Sequence, residues 1–162
     1  MFSPALLLLA ETVLDTAREK KLRIATAESC TGGLICGLLT EIPGSSDVLE
    51  RGFVTYSNEA KEEMLGVPRA LIADHGAVSE AVARAMAEGA AANSKAELAV
   101  AVTGIAGPGG GTKLKPVGLV HVAVCRKGRP ALHEEYRFGD IGRAEVRLET
   151  VKAALELLRR LM

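Results

Sequence analysis

The run Leu98-Ala-Val-Ala-Val-Thr103 is almost unbroken in its apolar character and short enough for a single strand. Such a run, with no polar side to turn to water, marks a central strand covered on both faces. It ends on Thr103 and Gly104 and opens into Gly107-Pro-Gly-Gly-Gly-Thr112. Leu22–Ala27 is a second apolar strand, and it also runs into a corner of small polar residues, Ser29 to Gly33. Ligands of open α/β sheets collect beyond the carboxyl ends of strands. Two such corners on neighbouring central strands therefore imply one shared cleft.

The remaining segments supply the cover. Ser3-Pro4 suits the start of a helix running to about Lys20, with Ser as cap and Pro in the first turn. The corner at Ser29 leads into a helix ending near Glu41, and Pro43-Gly44-Ser45-Ser46 reads as a turn. Arg51–Ser57 alternates like a strand, followed by short helices at Asn58–Leu65 and from Pro68 to about His75. An alanine-rich helix begins at Ser79-Glu80. Val117–Cys125 and Leu132–Phe138 form a hairpin, and Ile141 to Met162 repeats apolar residues at steps of three and four. The pattern predicts a three-layer α/β/α sandwich with a mixed, mostly parallel sheet of about five strands. At 162 residues it predicts one domain, 1–162.

Composition removes several functions. Twenty basic residues balance twenty acidic ones, so the charge excess usual in nucleic-acid binding is missing. Aromatics are 3% with no Trp, too few for a base-stacking platform. The apolar run Ala5–Ala10 is too short to span a bilayer and lacks the basic segment of a signal peptide. Three cysteines, Cys30, Cys36 and Cys125, form no paired framework and read as reduced thiols. Together these predict a cytoplasmic protein with no nucleic-acid or membrane partner. No metal-ligand spacing is present, and neither a Walker A loop nor a dinucleotide fingerprint follows either strand.

Ser29 stands where a helix start would offer unpaired N–H groups, and Gly32 and Gly33 would admit a ligand to that backbone. A nucleophile beside donors for an oxyanion is what acyl transfer requires. The plainer alternative is that Ser29 or Thr31 caps the helix. Thr55-Tyr56-Ser57-Asn58-Glu59-Ala60-Lys61 brings a phenol and an amine that can face the same cleft. A Ser–Lys pair replaces Ser–His–Asp in some enzymes, provided the lysine loses its proton near neutral pH. A lysine on a short helix is otherwise simply solvated. Cys30 is the rival nucleophile, but His75, His121 and His133 are scattered and read as structural. Arg143 can hold an anion or lie on the helix surface.

Three stretches carry a resemblance. Thr26-Ala-Glu-Ser-Cys-Thr-Gly-Gly33, Gly52-Phe-Val-Thr-Tyr-Ser-Asn-x-Ala-Lys61, and Val102-Thr-Gly-Ile-Ala-Gly-Pro-Gly-Gly-Gly-Thr112 with Lys115-Pro-Val-Gly118 closely resemble the CinA C-terminal domain family. Its enzymatic members are nicotinamide-nucleotide amidohydrolases. The resemblance covers nearly the whole chain, in order, and no departure falls in the three motifs; Lys113-Leu114 lies in a variable stretch. It implies the stand-alone form, hydrolysing the carboxamide of nicotinamide mononucleotide to nicotinate mononucleotide and ammonia in pyridine-nucleotide recycling. Ser29 becomes the nucleophile, Lys61 the general base and Tyr56 an aid to proton transfer. Cys30, Thr31, Gly32, Gly33, Thr103, Gly104, Gly107, Gly109, Gly110 and Arg143 become substrate-binding. No cofactor or metal is implied, and a homodimer is expected. Some relatives keep the fold with little activity, so the alternatives are a nucleotide-binding or competence-associated interaction protein, or a Ser–Lys amidase for another small amide.

Overall fold

The computed structural model describes residues 1–162. Five strands form one sheet in the order β2-β1-β3-β4-β5: β1 Ile24–Glu28, β2 Leu49–Val54, β3 Leu98–Gly104, β4 Leu119–Arg126 and β5 Leu132–Arg137. β1 pairs parallel with both β2 and β3, whereas β4 and β5 complete the other side as antiparallel neighbours. The mixed three-layer sandwich expected from the sequence is therefore present. No helix is long and apolar enough to cross a membrane.

Alternation along the central strands divides the core. Leu98, Val100 and Val102 face a cluster built with α1 (Pro4–Glu19), α2 (Leu34–Thr40) and α6 (Arg143–Leu161). Ala99 and Ala101 face the opposite layer of α3 (Asn58–Leu65), α4 (Arg69–His75) and α5 (Glu80–Ala92). On that side Ala25, Ala27, Ala99, Ala101 and Ala123 meet an alanine-rich helix, so α5 lies close to the sheet. The same economy brings α3 against α5. A Cβ on Gly89 would stand 2.0 Å from the Leu65 carbonyl oxygen, so only glycine permits this approach.

Boundaries differ from expectation at two places that matter. The strand expected over Leu22–Ala27 runs Ile24–Glu28, so Glu28 is its last residue and is buried. The next helix begins at Leu34, five residues beyond Ser29, with a separate turn between. The strand expected to continue to Ser57 ends at Val54, because Ser57 leaves it to cap α3, its hydroxyl accepting from the Ala60 N–H at 3.0 Å.

Candidate active site

β1 and β3 are neighbours, and their carboxyl ends share one open cavity of about 280 Å³. Ser29, Cys30, Tyr56, Lys61, Thr103, Gly104, Gly107, Gly109, Gly110 and Arg143 all line it. Residues 24, 26 and 28 of β1 point toward α1, α2 and α6, and the next residue, Ser29, turns toward α3. On α3, Lys61 and Leu65 are one helical turn apart and form its buried face. Lys61 is thus carried inward despite its charge and is only 1% exposed.

Its amine has two partners. Nζ lies 3.1 Å from Ser29 Oγ and donates to the Thr55 carbonyl at 2.9 Å. No carboxylate pairs with it, and removal from water lowers its pKa below the ordinary lysine value, against a smaller opposing pull from the Cys30 sulfur. A neutral amine here uses one N–H on Thr55 and turns its lone pair to the serine hydrogen. Cys30 shifts the other way: burial pushes its thiol up to about 12, so no thiolate is available near neutral pH.

Tyr56 is 61% exposed at the cavity rim. Its hydroxyl accepts from Arg143 Nη2 at 3.0 Å and makes no hydrogen bond to Ser29 or Lys61. Arg143, the first residue of α6, also donates through Nη1 to the Gly107 carbonyl at 2.8 Å, tying the glycine loop to Tyr56. The N–H groups of Gly107, Gly109 and Gly110, three residues that line the cavity, have no protein acceptor. Thr103 donates its hydroxyl hydrogen to the Ala77 carbonyl at 2.9 Å and so holds the Ala77–Val78 wall of the cavity.

Thr31, Gly32 and Gly33 do not line the cavity. The reason is Glu28, whose place in the site was not foreseen. Its buried carboxylate accepts from the Thr31 hydroxyl at 2.6 Å and from the N–H groups of Gly33 (3.0 Å), Ile35 (3.0 Å) and Cys36 (2.9 Å). The helix-start donors expected beside Ser29 are thus spent on an acid on the other face of the sheet. Neither Ser29 nor Thr31 caps α2: Gly33 is the N-cap, and the Glu28 carboxylate takes the N–H groups of the first turn. Gly32 and Gly33 have φ of +58° and +100°, which lets the turn double back into α2.

Two more residues went unnoticed. Asn58, on the first turn of α3, lines the cavity. Arg147 on α6 donates through Nε to the Cys30 carbonyl at 3.1 Å and through Nη2 to the Thr31 carbonyl at 3.0 Å. The signal for Arg147 was its place one helical turn after Arg143. The histidines stand elsewhere: His121 on β4 and His133 on β5 approach ring nitrogen to ring nitrogen at 2.9 Å, and none of the three lines the cavity.

Comparison with known proteins identifies the family. The family model described as CinA C-terminal domain matches residues 7–162. A putative competence-damage inducible protein of Caldicellulosiruptor bescii is 53% identical over 154 residues, covering 94% of this chain but 37% of that protein. A CinA-like protein of Syntrophus aciditrophicus is 54% identical, covering 88% of this chain and 34% of its own length. The chain spans about a third of these relatives. Among solved structures, the competence/damage inducible protein CihA from Agrobacterium tumefaciens superposes with a TM-score of 0.98 at 54% identity, covering 99% of this chain and 98% of that one. A competence-damaged protein (CinA) superfamily protein from Escherichia coli gives 0.92 at 31% identity over 100% of this chain and 94% of its own.

Proposed function

The chain belongs to the CinA C-terminal domain family, and from that premise we propose that it is an amidohydrolase converting nicotinamide mononucleotide to nicotinate mononucleotide and ammonia. One observation carries the reading: a buried lysine with no acidic partner lies 3.1 Å from a serine oxygen, and both line the cavity. Ser29 Oγ attacks the carboxamide carbon, activated by the cationic pyridinium, while its hydrogen passes to Lys61 Nζ. The C–N bond then breaks as Nζ returns that proton to the departing nitrogen, giving ammonia and an acyl-serine. Water, deprotonated by Nζ, cleaves the ester and restores both groups.

The oxyanion of each tetrahedral intermediate needs donors. On the corner from Ser29 to Gly33, only the N–H groups of Cys30 and Thr31 lack an acceptor; Cys30 lines the cavity and Thr31 does not, so we assign the Cys30 N–H as the principal donor and the Thr31 N–H, next along the chain, as the second. One such donor is typically worth about 3–4 kcal/mol. The glycine-loop amides suit the 5′-phosphate, with Arg143 bracing the loop and holding the Tyr56 hydroxyl over the mouth.

The test is ammonia release from nicotinamide mononucleotide by the wild type and by folded Ser29→Ala and Lys61→Met variants. Each variant is expected to lose roughly 10³-fold or more in kcat, as removal of a nucleophile or its base does elsewhere. Nucleotide binding without turnover by the wild type refutes catalysis. Equal turnover of amides lacking the phosphate refutes the nucleotide assignment.

A further inference from the structure

We infer that Arg147 is a positioning residue that sets the oxyanion donors from behind, without touching substrate; this rests on the acyl-serine reading above. Arg147 is half-buried on α6 and does not line the cavity. Its fork closes on two consecutive carbonyls, Cys30 at 3.1 Å and Thr31 at 3.0 Å.

A trans peptide points its C=O and N–H in opposite directions. Drawing the Cys30 carbonyl toward α6 therefore turns the Thr31 N–H away from α6. Drawing the Thr31 carbonyl the same way turns the Gly32 N–H away, and that group closes on the Ser29 carbonyl at 3.1 Å. With its carbonyl so held, the Ser29–Cys30 peptide fixes the direction of the Cys30 N–H. The guanidinium thus holds the Cys30–Thr31 peptide plane alone, shares the next with the Leu34 N–H, and through Gly32 supports the Ser29–Cys30 plane.

The accounting of backbone groups supports this. The carbonyls of Glu28, Ser29, Cys30 and Thr31 all have donors: the Thr55 N–H, the Gly32 N–H, Arg147 alone for Cys30, and Arg147 together with the Leu34 N–H (3.2 Å) for Thr31. Of the N–H groups, Ser29 donates to Val102, Gly32 to Ser29 and Gly33 to Glu28. What is left over is the Cys30 and Thr31 pair, the two residues that follow the serine. A buried donor without an acceptor is costly to keep, and a corner held at every other point can keep two.

The experiment compares wild type, Arg147→Lys and Arg147→Met in two assays, with melting temperature as the check on folding. The first is steady-state ammonia release from nicotinamide mononucleotide across pH. The second is the rate of Ser29 labelling by a small alkyl fluorophosphonate. There the Oγ–P bond forms, fluoride leaves and the serine proton passes to Lys61, leaving a phosphoryl oxygen at the oxyanion position. Both variants are expected to lose about 10- to 100-fold in kcat, less than the roughly 10²–10³-fold cost of deleting a donor outright. KM should change little, labelling should slow by the same factor, and the pH midpoint should stay in place. Arg147→Lys keeps the charge and loses the fork, so it carries the test if Arg147→Met fails to fold.

Wild-type rates in Arg147→Lys overturn the inference, because one point charge then suffices. A displaced pH midpoint also overturns it, since Arg147 would be acting on Lys61. A melting temperature that falls while labelling is unchanged leaves Arg147 a structural prop and overturns it as well. A wild type whose Ser29 is neither labelled nor able to release ammonia overturns the acyl-serine reading itself. A labelled wild type with unresponsive variants overturns this inference alone.

Discussion

Replacing Glu28 with Gln tests whether a buried acid, rather than a serine cap, holds the corner that carries the nucleophile. Oε2 accepts three hydrogen bonds, from the Thr31 hydroxyl and the Gly33 and Ile35 N–H groups, while Oε1 accepts one from Cys36. The glutamine oxygen can take the busier place, but its NH2 then faces the Cys36 N–H across a 2.9 Å gap, donor against donor. Two buried donors without acceptors cost about 1–3 kcal/mol each. The three surviving bonds also weaken as the charge goes, which the relief of a buried carboxylate offsets. The net loss is about 3 kcal/mol, or about 6–12 °C in melting temperature at the 2–4 °C per kcal/mol of a chain this long. With no Trp in the sequence, far-UV circular dichroism follows the transition in heat or urea. A Glu28→Gln protein melting within about 2 °C of wild type, half a kcal/mol or so on the same scale, would show that α2 and the corner are held by something else.

Two further outcomes concern the titrating groups. Activity should rise with pH through a midpoint below the ordinary lysine value of 10.5, because only neutral Lys61 accepts the serine proton. The same lowered value means that the Lys61 contribution to stability is complete above 10.5 and is lost as pH falls through the folded value. Denaturation of Lys61→Met across that window should show a shallower rise with pH; an identical slope would place the titration elsewhere. Cys30→Ala should keep turnover within about threefold of wild type, since the buried thiol stays protonated near neutral pH and removing its sulfur leaves the backbone donor in place. A loss comparable to that of Ser29→Ala would make the thiol the nucleophile.

Much of this architecture was legible because burial writes itself into strand composition. The run from Leu98 to Thr103 announced a strand covered on both faces, and alternation of Leu98, Val100 and Val102 against Ala99 and Ala101 assigns each face its helices. The Ser29 corner, the glycine loop and Lys61 were readable as parts of one cleft because strands β1 and β3 are neighbours. The strand end at Glu28 was not readable, since a charged residue after an apolar run looks like exit to solvent. Only the donors of Gly33, Ile35 and Cys36, brought round by two glycines in positive φ, make its burial tolerable. Arg147 was hidden for a related reason. Its partners are backbone carbonyls 116 and 117 residues away in sequence, and carbonyls leave no trace in side-chain pattern.

The placement of Glu28 also explains why no acid holds the proton of Lys61. A carboxylate within reach of the lysine would hold its proton and abolish it as a base. Glu28 is adjacent to Ser29 in sequence, yet side chains of a strand alternate between faces. One step along the chain therefore sends the acid toward α2 and the hydroxyl toward α3. On its own face the acid is saturated by four donors and has no need of a cation. On the other, the amine meets only a carbonyl and the serine, with burial lowering its affinity for a proton. The sheet thus separates two groups that would neutralise each other's roles, and it does so with the pleat alone. Shifting β1 by a single residue would exchange the faces, putting the acid beside Lys61 and the serine beneath α2.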